Sequence, residues 1–237
     1  MSKLKSFGLA LAAILAIGST TASAAQAQLT FTGSIGGFHL PTFFRGFQSG
    51  GFEFRSTAGT QGVSCTGVSF TGQSETGKSK TITASAGTNQ KCSLWPGYTA
   101  HRSMNTCDYK YNITKKINEH KYEGTTDIQC TTKGDVIDYQ VTEAFPNEKK
   151  TLCTIKVEEQ SGVGPIYYEN ITPMMGLKYV VIKANATNLK TITEANSGKG
   201  SDCNVPALGT HTTGTLTGET ELDGLYEEIE IEVTVSG

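Results

Sequence analysis

Charge is scarce in this chain. Asp, Glu, Lys and Arg make up 18% of its 237 residues, with 20 basic against 22 acidic side chains. With no basic surplus, nothing draws it to nucleic acid or to anionic lipid. Helical periodicity is missing too. No segment after Ala27 holds apolar residues at i, i+3, i+4 and i+7 for three turns, which argues against an α-helical body. Past Ile17 no apolar run approaches the roughly 20 residues that cross a bilayer as a helix, so no membrane span is expected in the mature chain. The spacings that carry familiar chemistry are absent as well. The four histidines, His39, His101, His120 and His211, form neither H-x-x-x-H nor H-x-H, and no G-x-S-x-G elbow or D-x-[DN]-x-[DN]-G loop occurs. None of the six cysteines lies in C-x-x-C, the spacing of zinc ribbons and thioredoxin-type redox sites. No catalytic residue, metal ligand or cofactor is therefore expected.

The N-terminus is informative. Lys3 and Lys5 precede an apolar run from Phe7 to Ile17, and small residues follow to Ala27. Two A-x-A sites lie there, Ala22-Ser23-Ala24 and Ala25-Gln26-Ala27. This is the three-part pattern of a cleaved secretory signal helix. Cleavage after Ala27 starts the mature chain at Gln28, and cleavage after Ala24 fits nearly as well. The expectation is a secreted or cell-surface protein, with residues 28–237 forming one disulfide-stabilised β domain.

An even set of six cysteines in an exported chain predicts three disulfides. If Cys107 opposes Cys130 across an antiparallel hairpin, Tyr109 meets Ile128, Tyr111 meets Thr126 and Ile113 meets Gly124. Both cysteines then share the apolar face, Lys110 opposes Asp127, and the turn falls on Asn118-Glu119. For Cys65 with Cys92 the same exercise mixes the faces, so a looser hairpin with a longer tip is needed. Cys153 and Cys203 pair by elimination, pinning the loop before Cys203 to a strand.

Period-two alternation recurs along the chain. It is clearest at the end, where Ile229, Ile231, Val233 and Val235 alternate with Glu228, Glu230, Glu232 and Thr234. Similar runs cover Val180 to Ala186 and Ile137 to Val141, separated by Gly, Asn, Ser and Pro clusters. Many short antiparallel strands predict an all-β fold, either a β-sandwich or an irregular barrel. Residues 31–54 stand apart, holding seven of the ten phenylalanines. They are expected to complete the core, with an exposed aromatic patch as the alternative.

Several strands share a texture with a known group. Ser64-Cys65-Thr66-Gly67-Val68-Ser69-Phe70-Thr71-Gly72, Cys107-Asp108-Tyr109-Lys110-Tyr111, Asp127-Ile128-Gln129-Cys130 and Thr215-Leu216-Thr217-Gly218 sit in an order that resembles uncharacterised exported β-rich proteins of soil actinobacteria. The resemblance spans most of the mature chain and rests on cysteines in Thr/Gly-rich strands. That group has no assigned activity, so the resemblance implies an exported β domain and no catalytic residue.

Gly72-Gln73-Ser74-Glu75-Thr76-Gly77-Lys78-Ser79 matches the P-loop pattern letter for letter. A P-loop needs a helix after it to cradle phosphate, and Lys80 to Ala84 reads as a strand, so a hairpin tip is expected instead. Glu228, Glu230 and Glu232 could suggest paired glycosidase carboxylates, but their alternation marks a wet strand face. Trp95, Tyr98, Tyr167 and Tyr168 are the candidate glycan-stacking aromatics. The first functional expectation is a non-enzymatic structural or surface-interaction protein whose partner is a cell-surface or extracellular polymer. The alternative is a carbohydrate-binding module built on those four rings, and the second alternative is an extracellular hydrolase.

Overall fold

A computed structural model describes residues 28–57, 62–86, 91–94, 97–143, 151–196 and 208–237. The predicted signal segment lies outside these residues. All regular structure in them is β, in seventeen strands. The first part of the chain forms β1 (Thr30–Ile35), β2 (Phe38–His39), β3 (Thr42–Arg55), β4 (Val63–Thr66), β5 (Ser69–Ser74), β6 (Lys78–Ser79), β7 (Thr81–Ala86), β8 (Lys91–Ser93) and β9 (Tyr98–Ser103). There follow β10 (Cys107–Lys116), β11 (Lys121–Cys130), β12 (Ile137–Glu143), β13 (Thr151–Val157), β14 (Gln160–Ile171), β15 (Tyr179–Ala195), β16 (Gly209–Tyr226) and β17 (Ile229–Ser236).

The pairings, all antiparallel, close on themselves twice. One circuit runs β3–β5–β7–β10–β11–β14–β15–β16 and back to β3. The other runs β3–β4–β8–β9–β12–β13–β15–β16 and back to β3. The three longest strands, β3, β15 and β16, serve both circuits, each giving one half to either ring. Register shifts fall at the handover, between Gly218 and Thr220 on β16 and between Ala186 and Leu189 on β15. Bulges of this kind let one strand leave one ring and enter the next. The predicted irregular barrel is thus a pair of closed rings, and closure removes the free edges that an open sheet would expose.

Alternation along each strand sets the core. Phe54 stacks on Tyr139 with centroids 4.7 Å apart in the second ring. In the first ring Phe44, Ile82, Tyr168 and Leu222 are fully buried. β1 and β17 pair beside this ring, and Phe31 sets its edge against Tyr168 at 5.2 Å. The Phe-rich segment therefore answers both expectations made for it. Phe31, Phe44 and Phe54 are core, whereas Phe38, Phe43 and Phe47 stand 77%, 44% and 46% exposed.

Two disulfides lie across paired strands. Cys107 opposes Cys130 in the β10–β11 ladder with the expected partners down to Ile113 and Gly124. Beyond Ile113 the ladder slips by one residue, so the tip is wider than the two-residue turn expected at Asn118-Glu119. Asn118 closes it by accepting the backbone N–H groups of His120 and Lys121 on its Oδ1, at 2.9 and 2.8 Å. Cys65 opposes Cys92 between β4 and β8. Cys153 is also disulfide-bonded, and Cys203, its partner by elimination, lies outside the described residues.

Candidate ligand-binding groove

The Cys65–Cys92 link closes the long, loose hairpin that the sequence required. β4 pairs with β8 and the start of β5 pairs with the end of β7, at Phe70↔Ala86 and Thr71↔Ser85. Past those rungs the arms part. β5 continues along β3, with Phe43 opposite Gln73, while β7 continues along β10, with Lys110 opposite Thr83. Outward positions of the parted arms, with the tip between them, line an open groove of about 650 Å³. Thr71 and Gln73 come from β5, Thr81, Thr83 and Ser85 from β7, and Thr76, Lys78 and Ser79 from the tip. Phe43 lines it from the neighbouring strand, β3, and Glu75 is its carboxylate.

Strand alternation makes this surface hydroxyl-rich. Ile82 and Ala84 point into the ring and Thr81, Thr83 and Ser85 point out. Part of the hydroxyl capacity is already engaged. Thr76 donates to the Lys78 carbonyl at 2.7 Å, and Ser85 donates to Asp108 Oδ1 at 2.7 Å. The remaining lone pairs and the Gln73 amide face the groove. Such a lining can exchange hydrogen bonds with a hydroxyl-bearing ligand, and Phe43 offers it an apolar face.

The P-loop pattern sits in this groove without the architecture that would make it one. Gly77 takes φ 69° at the turn, and Lys78 and Ser79 then pair as a strand with Thr32 and Phe31. A further strand, β7, follows, so no helix N-terminus meets the turn.

A second concavity adjoins the first. Ser85 lines both, and beyond it a cleft of about 630 Å³ is formed by Arg102, Met104, Asn105, Thr106 and Asp108. Arg102 lies opposite Tyr139 in the β9–β12 ladder, and its guanidinium stands 5.7 Å from the Tyr109 ring centre. It donates from Nε and Nη2 to the Met104 thioether, at 3.2 and 2.8 Å. Burial by itself would lower the Arg102 pKa, but the phenols of Tyr109, Tyr139 and Tyr111 raise it to a net increase, and the group stays cationic. Behind it a cavity of about 30 Å³ lies inside the first ring, room for one water.

The outer face of β11, β14, β15 and β16 carries a charge ladder instead. Glu169 sits between Lys121 at 3.1 Å and Lys183 at 2.9 Å, and Lys183 reaches on to Glu219 at 3.7 Å. The hydrogen bond from Lys183 holds the Glu169 carboxyl below the usual range, and Glu169 raises Lys183 in return. On β16, burial pushes Asp223 up, partly offset by Arg45.

Tyr167 and Tyr168, two of the four aromatics grouped from the sequence, do not share a face. Tyr168 is fully buried and donates to the Asn112 carbonyl at 3.3 Å, so its ring is closed to any external sugar. Tyr167, the next residue on β14, faces the other way and lies 4.9 Å from Lys121 Nζ. Tyr98 is half-buried on β9, and Trp95 lies outside the described residues. The histidines are dispersed over β2, β9, the β10–β11 tip and β16. Glu228 belongs to the β16–β17 turn, while Glu230 and Glu232 lie on β17, where they reach Arg45 and Lys178. Among the described residues, no three His, Cys, Asp or Glu side chains gather as a metal-binding set. Phe43 belongs to the exposed part of the Phe-rich segment, whereas Arg102, a single arginine in a strand, carries no pattern in the sequence. The chain matches no family model, no curated protein and no solved structure.

Proposed function

We propose that this is an exported, non-enzymatic surface-interaction protein that holds a cell-surface or extracellular polysaccharide in the β5–β7 groove. One observation carries the reading: an open groove of about 650 Å³ whose walls are mostly hydroxyl and amide side chains, with Phe43 among them. An open trough suits a chain that passes through it, whereas a small ligand is more often enclosed. This keeps the carbohydrate-binding idea drawn from the sequence and takes Phe43 as its aromatic contact in place of the group Trp95, Tyr98, Tyr167 and Tyr168. The test is retention of the mature protein on a panel of insoluble polysaccharides. At least one should retain it, and Phe43→Ala should weaken that binding about fivefold to tenfold, the worth of one ring contact. Binding that Phe43→Ala and Thr83→Lys leave unchanged would refute the groove.

A further inference from the structure

We infer that the polysaccharide held in the groove is built of acetamido sugars, and that one of its N-acetyl groups enters a third concavity beyond Phe43. This rests on the groove reading above and adds the chemical class of the sugar. The first support is continuity. A hollow of about 260 Å³ shares Phe43, Gln73, Ser74 and Glu75 with the groove. Gln73, Phe43 and Leu225 stand in one rung across β5, β3 and β16, two strand spacings or about 10 Å wide. Side chains of one rung point to the same side of the sheet, and here that side is the outer one, with Gln73 and Phe43 exposed and Leu225 half-buried. A chain leaving the groove over Phe43 therefore arrives at Leu225.

The second support is the change of lining. Where the groove offers mostly hydroxyls, the hollow offers the apolar surfaces of Pro41, Phe43, Leu225 and Tyr226. Pro41 is exposed and Tyr226 half-buried, so this surface is open to a ligand. Glu75, at the β5–β6 tip, and Glu227, in the β16–β17 turn, bring carboxylate acceptors to it. Among the described residues its lining holds no Lys or Arg. An acetamido group matches that combination, since it carries a methyl to bury and an N–H to donate. The hydroxyl that it replaces in a plain glucan has no methyl to place there. A sugar carboxylate would meet Glu75 and Glu227 as like charges, which disfavours a uronic acid at this point.

The experiment compares three soluble hexamers with one β-1,4 backbone, made of N-acetylglucosamine, glucose or glucosamine, for binding to the mature protein by calorimetry. Burying one methyl and gaining one N–H···O bond should make the acetylated hexamer bind about tenfold more tightly than the glucose hexamer. It should also bind more tightly than the glucosamine hexamer, and high salt should leave its affinity nearly unchanged. Leu225→Thr, which keeps a β-branched residue in the strand and removes the apolar wall, should narrow the preference over glucose to less than about twofold. Because Leu225 is half-buried, Pro41→Thr at the exposed rim serves as a second variant and should narrow the preference in the same direction. Equal binding of the acetylated and glucose hexamers would overturn the inference and leave the groove reading standing. Tighter, salt-sensitive binding of the glucosamine hexamer would overturn it too, since the carboxylates would then be reading charge. A preference that neither variant narrows would refute the hollow as its source. If none of the hexamers binds, the inference falls, and the groove reading falls with it only where the polysaccharide panel also retains nothing.

Discussion

Replacing Cys107 and Cys130 together by alanine tests how the two rings are held. The link spans 23 residues of sequence. Chain-entropy bookkeeping for a loop of that size gives about 3 kcal/mol of stabilisation, acting by restricting the unfolded chain. Cys107 is buried, so truncation adds a cavity cost of about 1 kcal/mol. The β10–β11 ladder has nine partnered positions and β10 also pairs with β7, so the native strands keep their places without the bond. The double variant should therefore lose about 3 to 4 kcal/mol in urea unfolding and melt roughly 10 °C lower. Its m value should rise, because the released chain exposes more surface when unfolded. Backbone amides of β10 and β11 should keep their exchange pattern relative to the rest of the core. A stability within about 1 kcal/mol of the parent would refute the loop-entropy reasoning. Selective loss of protection in β10 and β11 would show that the bond, and not the ladder, holds these strands.

Two further outcomes follow from the outer face. Glu169 has its pKa lowered by Lys183 and Lys121, so its contribution is complete above the unfolded glutamate value of about 4.3 and is lost as pH falls through the lower folded value. Glu169→Gln should cost less than about 1 kcal/mol at neutral pH, and the two urea-midpoint profiles should converge as the solution is acidified below pH 4. The β16–β17 turn places Glu227 and Glu228 at φ 48° and 70°, the left-handed region that suits Asn and Gly. The paired change Glu227→Asn and Glu228→Gly should raise stability by about 1 kcal/mol, read as a higher melting temperature.

Strand content was legible because alternation is a local property. Ile231, Val233 and Val235 point inward on β17 just as their spacing predicts, and Ile229 escapes because it borders the turn, where the strand has only begun. The Cys107–Cys130 register was legible for the same reason, since hairpin partners are near in sequence. What could not be read was how β3, β15 and β16 divide between two rings. That division depends on bulges near Gly218 and Asn188, and a bulge leaves no period to detect. The groove was hidden by the same limit. Thr71, Thr83 and Ser85 look like any wet strand face until β5 and β7 are seen to part and pair with different neighbours. Tyr167 and Tyr168 misled in the opposite sense, because neighbours in sequence on a strand are the residues least able to share a face.

The most direct measurement is a residue-resolved map of binding: backbone amide shifts of the labelled mature protein during titration with an oligosaccharide from whichever polymer retains it. The groove reading predicts the largest changes along 71–76 and 78–85 and at Phe43. Changes centred on the Lys121–Glu169–Lys183 ladder around Tyr167, with β5 and β7 silent, would contradict it.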